Sequence, residues 1–414
     1  MNTAIVGWGH IPFGRREEDV ESMLLEVTGE ALLSAGVGAS DVDAVYLGWF
    51  NGGMNEQDFG SSLVMNGFEG LRYKPATRVE NACATGSAAV YQGRDFIAAG
   101  RGKVVLVVGV EKMTNVPTPE LNRVLLTCSY LREEAGVANG FAGVFADIAM
   151  DYFSQHGDQT DALATIAAKN HHNGCANPWA QLHKDLGYEF CRTESEKNPV
   201  VAAPLKRTDC SLVSDGAAAV VLAHEDVARD LQHAARLRAS TQVNDLLPMS
   251  RRDMTFLEGC ARAWQGSLQA AGMTLNDLDL VETHDCFTMA EMMQYEAMGL
   301  TERGRGAQAA LDGWTAKDGK LPVNVSGGLK AKGHPIGATG VSMHALAAMQ
   351  VLGEAGDMQV SGASVAGVFN MGGTGVANYC SIIRRRLRTS RPRARLSFTV
   401  ASRSLKLSAV TASR

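Results

Sequence analysis

Two stretches of the chain combine a nucleophile and a base of the kind that attacks a carbonyl carbon. The first is Asn81-Ala82-Cys83-Ala84-Thr85-Gly86-Ser87-Ala88. Small residues on both sides leave the sulfur reachable and let a substrate carbonyl approach the backbone. A lone cysteine can equally be a small buried hydrophobe, so Cys83 needs a base before it becomes a nucleophile. The second stretch supplies one: Asn324-Val325-Ser326-Gly327-Gly328-Leu329-Lys330-Ala331-Lys332-Gly333-His334-Pro335-Ile336-Gly337-Ala338-Thr339-Gly340. His334, held between Gly333 and Pro335, has the restricted backbone that a positioned general base requires. The apolar run Met343 to Met349 begins a helix behind it.

The elements that must position these residues read as α/β. Apolar β-type runs at Thr3 to Val6, Ala44 to Leu47, Thr77 to Val79, Val104 to Val110 and Ala217 to Leu222 alternate with helical stretches. The habit repeats at Leu278 to Val281, Val323 to Val325, Ser364 to Phe369 and Val376 to Ile383. Strand–helix alternation of this kind predicts buried sheets. Arg78 to Cys83 and Leu280 to Cys286 share one pattern: an apolar strand, a short turn, a cysteine, then a helix. That match predicts a duplication, with both cysteines at helix N-termini, where unpaired N–H groups favour a thiolate. A polar stretch from Met113 to Val201 breaks the alternation and reads as an insertion. The expected layout is a first thiol-bearing half at 1–115 and 202–235, an inserted loop domain at 116–201, a second half at 236–384 and a basic tail at 385–414.

Composition excludes several classes. The 414 residues are 45% hydrophobic and 20% charged, ordinary globular material with a net charge of −5. Eight cysteines form no C-x-x-C pair, so neither a zinc site nor a thioredoxin-type motif is expected, and reduced thiols are. No secretory signal and no apolar run of spanning length is present, which predicts a cytoplasmic protein without a membrane partner. From Ser381 onward there are ten Lys or Arg and no acid. This segment reads as a solvated tail, because no nucleic-acid motif accompanies it. Phe369-Asn370-Met371-Gly372-Gly373-Thr374-Gly375 and Gly7-Trp8-Gly9 do not fit G-x-G-x-x-G, and neither a Walker A run nor a G-x-S-x-G elbow occurs. His171-His172-Asn173-Gly174-Cys175 reads as loop or ligand-edge residues rather than a metal site.

Together with Asp209-Cys210-Ser211-Leu212-Val213-Ser214-Asp215-Gly216-Ala217-Ala218 and His284-Asp285-Cys286-Phe287, these motifs resemble the thiolase superfamily. The likeness is to the sterol-carrier-protein-type thiolases and their bacterial and archaeal relatives, and runs from Ile5 to about Ile383. It implies a duplicated five-layer α/β/α/β/α fold with an inserted loop domain, usually a homodimer or homotetramer. It also implies acyl transfer between CoA thioesters by ping-pong kinetics, with CoA as substrate or product and no metal or other cofactor. Cys83 takes the place of the nucleophile and His334 that of its base. The backbone N–H groups of Cys83 and Gly372 are implied as an oxyanion hole, His284 as a partner of the thioester oxygen, and Ser326, Gly327, Gly333 and Asn370 as substrate-binding. The common thiolases carry a second catalytic cysteine on the last strand, where this chain has Asn370-Met371-Gly372. In the sterol-carrier-protein-type group the cysteine of H-D-C-F takes over, so Cys286 is the implied acid/base. Two alternatives stand beside this. One is a retro-aldol lyase acting on a CoA-linked, steroid-type side chain; the other is a non-catalytic acyl-CoA-binding subunit for a small OB-fold partner.

Overall fold

Strand β4 shows why a sheet forms. Val104–Glu111 is an eight-residue run of mostly Val, with every residue buried, as a strand covered on both faces requires. The structure is a computed structural model and describes residues 2–385; the basic tail expected at 385–414 lies outside the described residues beyond Arg385. The remaining strands are β1 Thr3–His10, β2 Ala44–Gly48, β3 Ala76–Val79, β5 Val200–Ala202, β6 Leu205–Lys206, β7 Gly216–His224, β8 Ala235–Asn244, β9 Leu280–Glu282, β10 Val365–Gly372 and β11 Ala377–Arg385. Nine of the eleven strands follow one another in the order β3-β2-β4-β7-β1-β8-β11-β10-β9, and β5 and β6 form a separate hairpin. The longer helices are α1 Val20–Ala35, α2 Thr85–Ala98, α3 Thr118–Leu126, α4 Gly140–His156, α5 Thr160–Gly174, α6 Glu258–Ala271, α7 Thr288–Ala297 and α8 Ile336–Leu352. Helix α1 shows the local signals clearly. Asp19 caps its start, accepting from the Ser22 N–H at 2.8 Å, and Gly36 ends it in the left-handed conformation at φ 67°.

The sheet is two copies of one pattern, joined where β1 meets β8 by only Ala4 opposite Arg236 and Ile5 opposite Ala235. In the first copy β3, β2 and β4 run parallel and β7 and β1 follow antiparallel. In the second, β9 and β10 run parallel, followed by antiparallel β11 and β8. Val323 extends this second copy by a parallel bridge to Val281 of β9. The second copy therefore matches the first strand for strand, which corrects one detail of the expected duplication. By position β9 answers to β2, and the Val323 segment answers to β3. The repeat partner of the Cys83 turn is then the loop before α8, where His334 sits, not Cys286.

Helices α2 and α8 fill the middle layer. Residues Ile336 to Val351 of α8 are all buried, as a helix packed against sheets on both sides must be. The two helices cross near their N-termini at glycines. A Cβ on Gly86 would lie 2.7 Å from the Val341 nitrogen, and one on Gly340 only 2.2 Å from the Ser87 nitrogen. Backbones that close bring the two pre-helix turns to one point. Between β4 and β7 run α3, α4, α5 and the β5–β6 hairpin, and α5 packs against α7 and the turn before His334. Among the described residues no helix is long and apolar enough to cross a membrane.

Candidate active site

Cys83 sits in a turn held from every side. Ala82, just before it, has φ 49°, a conformation that non-glycine residues seldom adopt and that tends to mark functional turns. The Ala82 N–H donates to Glu80 Oε1 at 2.5 Å and the Asn81 N–H to Thr85 Oγ1 at 2.8 Å. The Asn81 amide reaches across to Tyr379 Oη at 2.8 Å. The thiol is 5% exposed and lies one residue before the N-cap of α2. Its Sγ and one ring nitrogen each of His284 and His334 all lie within 4.8 Å of one another.

The two histidines carry opposite tautomers, and each tautomer is set by a second partner. The Thr339 hydroxyl donates to the Pro335 carbonyl at 3.0 Å, so its oxygen must accept the 2.7 Å bond from His334 Nδ1–H. That leaves a bare lone pair on His334 Nε2, a buried atom with no partner. On the other side the Asn370 side chain lies 3.1 Å from the Cys83 carbonyl, which can only accept, so the NH2 group faces it. The same NH2 donates to His284 Nδ1 at 2.9 Å, which puts the ring proton on Nε2, again buried and unpartnered. Burial first of all lowers the pKa of His284 and keeps it neutral. The site thus offers one nitrogen that takes a proton and one that donates a hydrogen bond. A proton on His284 Nε2 also occupies the lone pair that a metal ion would need, so the three groups suit acid–base chemistry better than a metal.

Cys83 is held well below the ordinary thiol range, first by a hydrogen bond with the Cys128 thiol and then by His284 and His334, against the opposing effect of burial. Glu111, at the end of β4, fixes the loop from behind. Its carboxylate accepts from the N–H groups of Phe50 at 3.1 Å, Asn51 at 2.9 Å and Gly337 at 3.0 Å. Burial raises its pKa to about 7. Asp285 does the same for the turn at Gly328–Lys332, accepting from the N–H groups of Leu329 at 2.6 Å and Lys330 at 3.1 Å. The His334 N–H is tied to Ser214 Oγ at 3.0 Å.

Of the expected site residues, Cys83, His334, His284 and Asn370 come together. Gly372 runs beside them: a Cβ there would meet the Asn81 carbonyl at 2.5 Å, so only glycine lets β10 come this close. Asn370 orients His284 and the Cys83 backbone instead of facing out toward a ligand. Ser326, Gly327 and Gly333 are each packed against the rest of the chain. The Ser326 hydroxyl donates to Glu282 Oε2 at 2.6 Å, and a Cβ on Gly327 would lie 2.6 Å from Gly174 of α5. Gly333, at φ 114°, presses on Ser214 and Phe13. These three build the loop that carries His334. Cys286 is packed in the apolar core, and its thiol pKa is raised, chiefly by burial. Cys128, from the inserted segment and marked by no sequence motif, packs in the same small apolar cluster as Cys83.

Family models match nearly the whole of this frame. The thiolase N-terminal domain matches residues 3–226 and the thiolase C-terminal domain-like family residues 240–385. The chain belongs to the thiolase superfamily. Among its curated relatives is an acetyl-CoA acetyltransferase of Methanothermobacter thermautotrophicus, 38% identical over 90% of this chain and 97% of the relative. Human sterol carrier protein 2 is 31% identical over 87% of this chain and 67% of its own length. Solved structures of like fold include an Ltp2-ChsH2(DUF35) aldolase, with a TM-score of 0.78 at 20% identity over 93% of this chain and 98% of that one. Human mitochondrial 3-ketoacyl-CoA thiolase in complex with CoA has a TM-score of 0.71 at 19% identity, covering 93% of this chain and 98% of that one. This thiolase-superfamily chain is an acyltransferase.

Proposed function

We propose that the chain makes or breaks a carbon–carbon bond between CoA thioesters through an acyl group on Cys83. The overall change is thiolytic cleavage of a 3-ketoacyl-CoA or its reverse, condensation of an acyl-CoA with acetyl-CoA. The observation that supports this most strongly is the pair of opposite histidine tautomers around one activated thiol. His334 Nε2 takes the Cys83 proton as the sulfur attacks the substrate carbonyl. The oxygen that becomes negative is met by the His284 Nε2–H and by the backbone N–H groups of Cys83 and Gly372. In the second half-reaction a CoA thiol, or an acetyl-CoA enolate, attacks the acyl-Cys83 carbonyl and expels the Cys83 thiolate. Every group needed for acyl transfer is a side chain or backbone group of the chain, with CoA as substrate or product.

The relatives named as acetyl-CoA acetyltransferases and the like-folded thiolase solved with CoA support the choice of CoA thioesters. Initial rates measured against 3-ketoacyl-CoA and CoA together test the reading. Parallel double-reciprocal lines with release of acetyl-CoA are expected. Intersecting lines, or cleavage of a 3-hydroxyacyl-CoA with no need for CoA, would favour retro-aldol chemistry instead.

A further inference from the structure

β10 ends at Gly372, whose ladder partner on β11 is Ala377. The tip between them, Gly373-Thr374-Gly375-Val376, has two glycines in the left-handed region, at φ 61° and 77°. Glycine loses more conformational freedom on folding than any other residue, so a tip of this kind does not hold itself still. On the reading just given, the Gly372 N–H must nevertheless stay aimed at the oxyanion.

Contacts on the site side only limit how closely the tip approaches. A Cβ on Gly372 would meet the Asn81 carbonyl at 2.5 Å, and one on Gly373 the Cys128 carbonyl at 2.9 Å. Within the hairpin, the Val376 N–H donates to the Gly372 carbonyl at 3.0 Å and the Asn378 amide to the Gly375 carbonyl at 2.8 Å. Thr374, buried at the turn, is tied to the rest of the molecule by Arg252, in the loop after β8. The guanidinium donates to the Thr374 carbonyl at 2.8 Å and to the Thr374 hydroxyl at 2.6 Å. Two charge-assisted bonds from one planar fork fix direction as well as distance. The Arg252 loop is itself anchored on the inserted segment. There the Met249 N–H donates to Glu134 Oε1 at 3.0 Å and the Ser250 hydroxyl to Glu133 Oε2 at 2.6 Å.

We propose that Arg252 is a positioning residue for the oxyanion hole. By gripping Thr374 it keeps the Gly372 N–H, two residues away, aimed at the oxygen that becomes negative. This rests on the reading of Gly372 as an oxyanion donor. Arg252 also lines a cavity of about 260 Å³ with Phe256, Arg303 and Gly375, so direct contact with substrate is the rival role.

The test compares two reactions of Cys83 in the full chain: acylation by acyl-CoA, which builds an oxyanion, and alkylation by iodoacetamide, which does not. In Arg252→Ala, acylation and kcat are expected to fall by about 10²-fold, the cost of a misplaced group. KM and the alkylation rate should stay near wild type, because neither depends on the transition-state oxyanion. Thr374→Val keeps the shape of the side chain and removes only the hydroxyl acceptor. It should show the same selective slowing to a smaller degree. Acylation at the wild-type rate in either variant would overturn the assignment. Equal slowing of acylation and alkylation would show a general loss of structure, and a raised KM at unchanged kcat a substrate contact; each also overturns it. A wild type never acylated at Cys83 would instead overturn the acyl-enzyme reading beneath it.

Discussion

The two halves of the chain bring the same feature to the same point and fill it differently. In the first, β3 leads into a turn and then α2, with Cys83 one residue before the helix cap. In the second, the Val323 segment leads through the turn at Gly328–Lys332 to His334 and then α8. Duplication supplies two helix N-termini that meet at Gly86 and Gly340, with the proposed nucleophile Cys83 before one and its proposed base His334 before the other. Cys83 and His334 are therefore brought together by the packing of the halves and not by any local sequence. Cys286 makes the complementary point. It shares the strand–turn–cysteine–helix pattern of Cys83, yet it sits after the strand that answers to β2, in the apolar core, and its thiol is pushed up where that of Cys83 is pulled down.

The comparison is broken most severely by exchanging what the halves contribute. Cys83→Ala should abolish turnover, and His334→Ala should slow Cys83 acylation by about 10²–10⁴-fold, both read by single-turnover mass spectrometry. The tautomer argument predicts a somewhat smaller loss on the other side. His284→Ala removes an oxyanion donor and should cost about 10²–10³ in kcat. Asn370→Asp should cost as much, because a carboxylate would accept from Nδ1–H and strip the proton from Nε2. An Asn370→Asp variant with normal kcat would show that Asn370 does not set the His284 tautomer.

A pH profile sharpens the contrast between the two thiols. The groups facing Cys83 are Cys128, His284 and His334, with Cys286 acting only through charge. A lowered pKa means a thiolate that survives to lower pH, so alkylation of Cys83 by iodoacetamide should have its midpoint below the ordinary thiol value. Removing the largest cause by Cys128→Ala should move that midpoint upward. The smallest effect concerns the frame. Gly340→Ala forces a methyl against the Ser87 nitrogen, and overpacking of this kind costs about 1–3 kcal/mol, readable as a lower denaturant midpoint.

Much of this was legible before the structure. The buried strands β4, β7, β10 and β11 announce themselves as apolar runs, and Cys83, His284 and His334 stand in distinctive settings. β8 did not, because Ala235, Leu237 and Ala239 point inward while Arg236, Arg238 and Ser240 alternate with them. That half-polar strand meets β1 where the two copies of the sheet pattern join. The job of Asn370 was hidden too, since it depends on β10 meeting a histidine 86 residues away in sequence. Cys128 lies in Thr127-Cys128-Ser129 with no motif around it, and only folding of the inserted segment over the site brings it to Cys83. The close packing of the Gly327–Gly333 loop was equally hidden, because it depends on α5 and Ser214 pressing against it from elsewhere in the chain.

Intact-protein and peptide mass spectrometry after brief mixing with a 3-ketoacyl-CoA, quenched in acid, tests the central claim most directly. A single acyl mass on the peptide that contains Cys83, absent from Cys83→Ser and discharged by added CoA, is the predicted result. Full carbon–carbon cleavage with Cys83 unmodified throughout would contradict it.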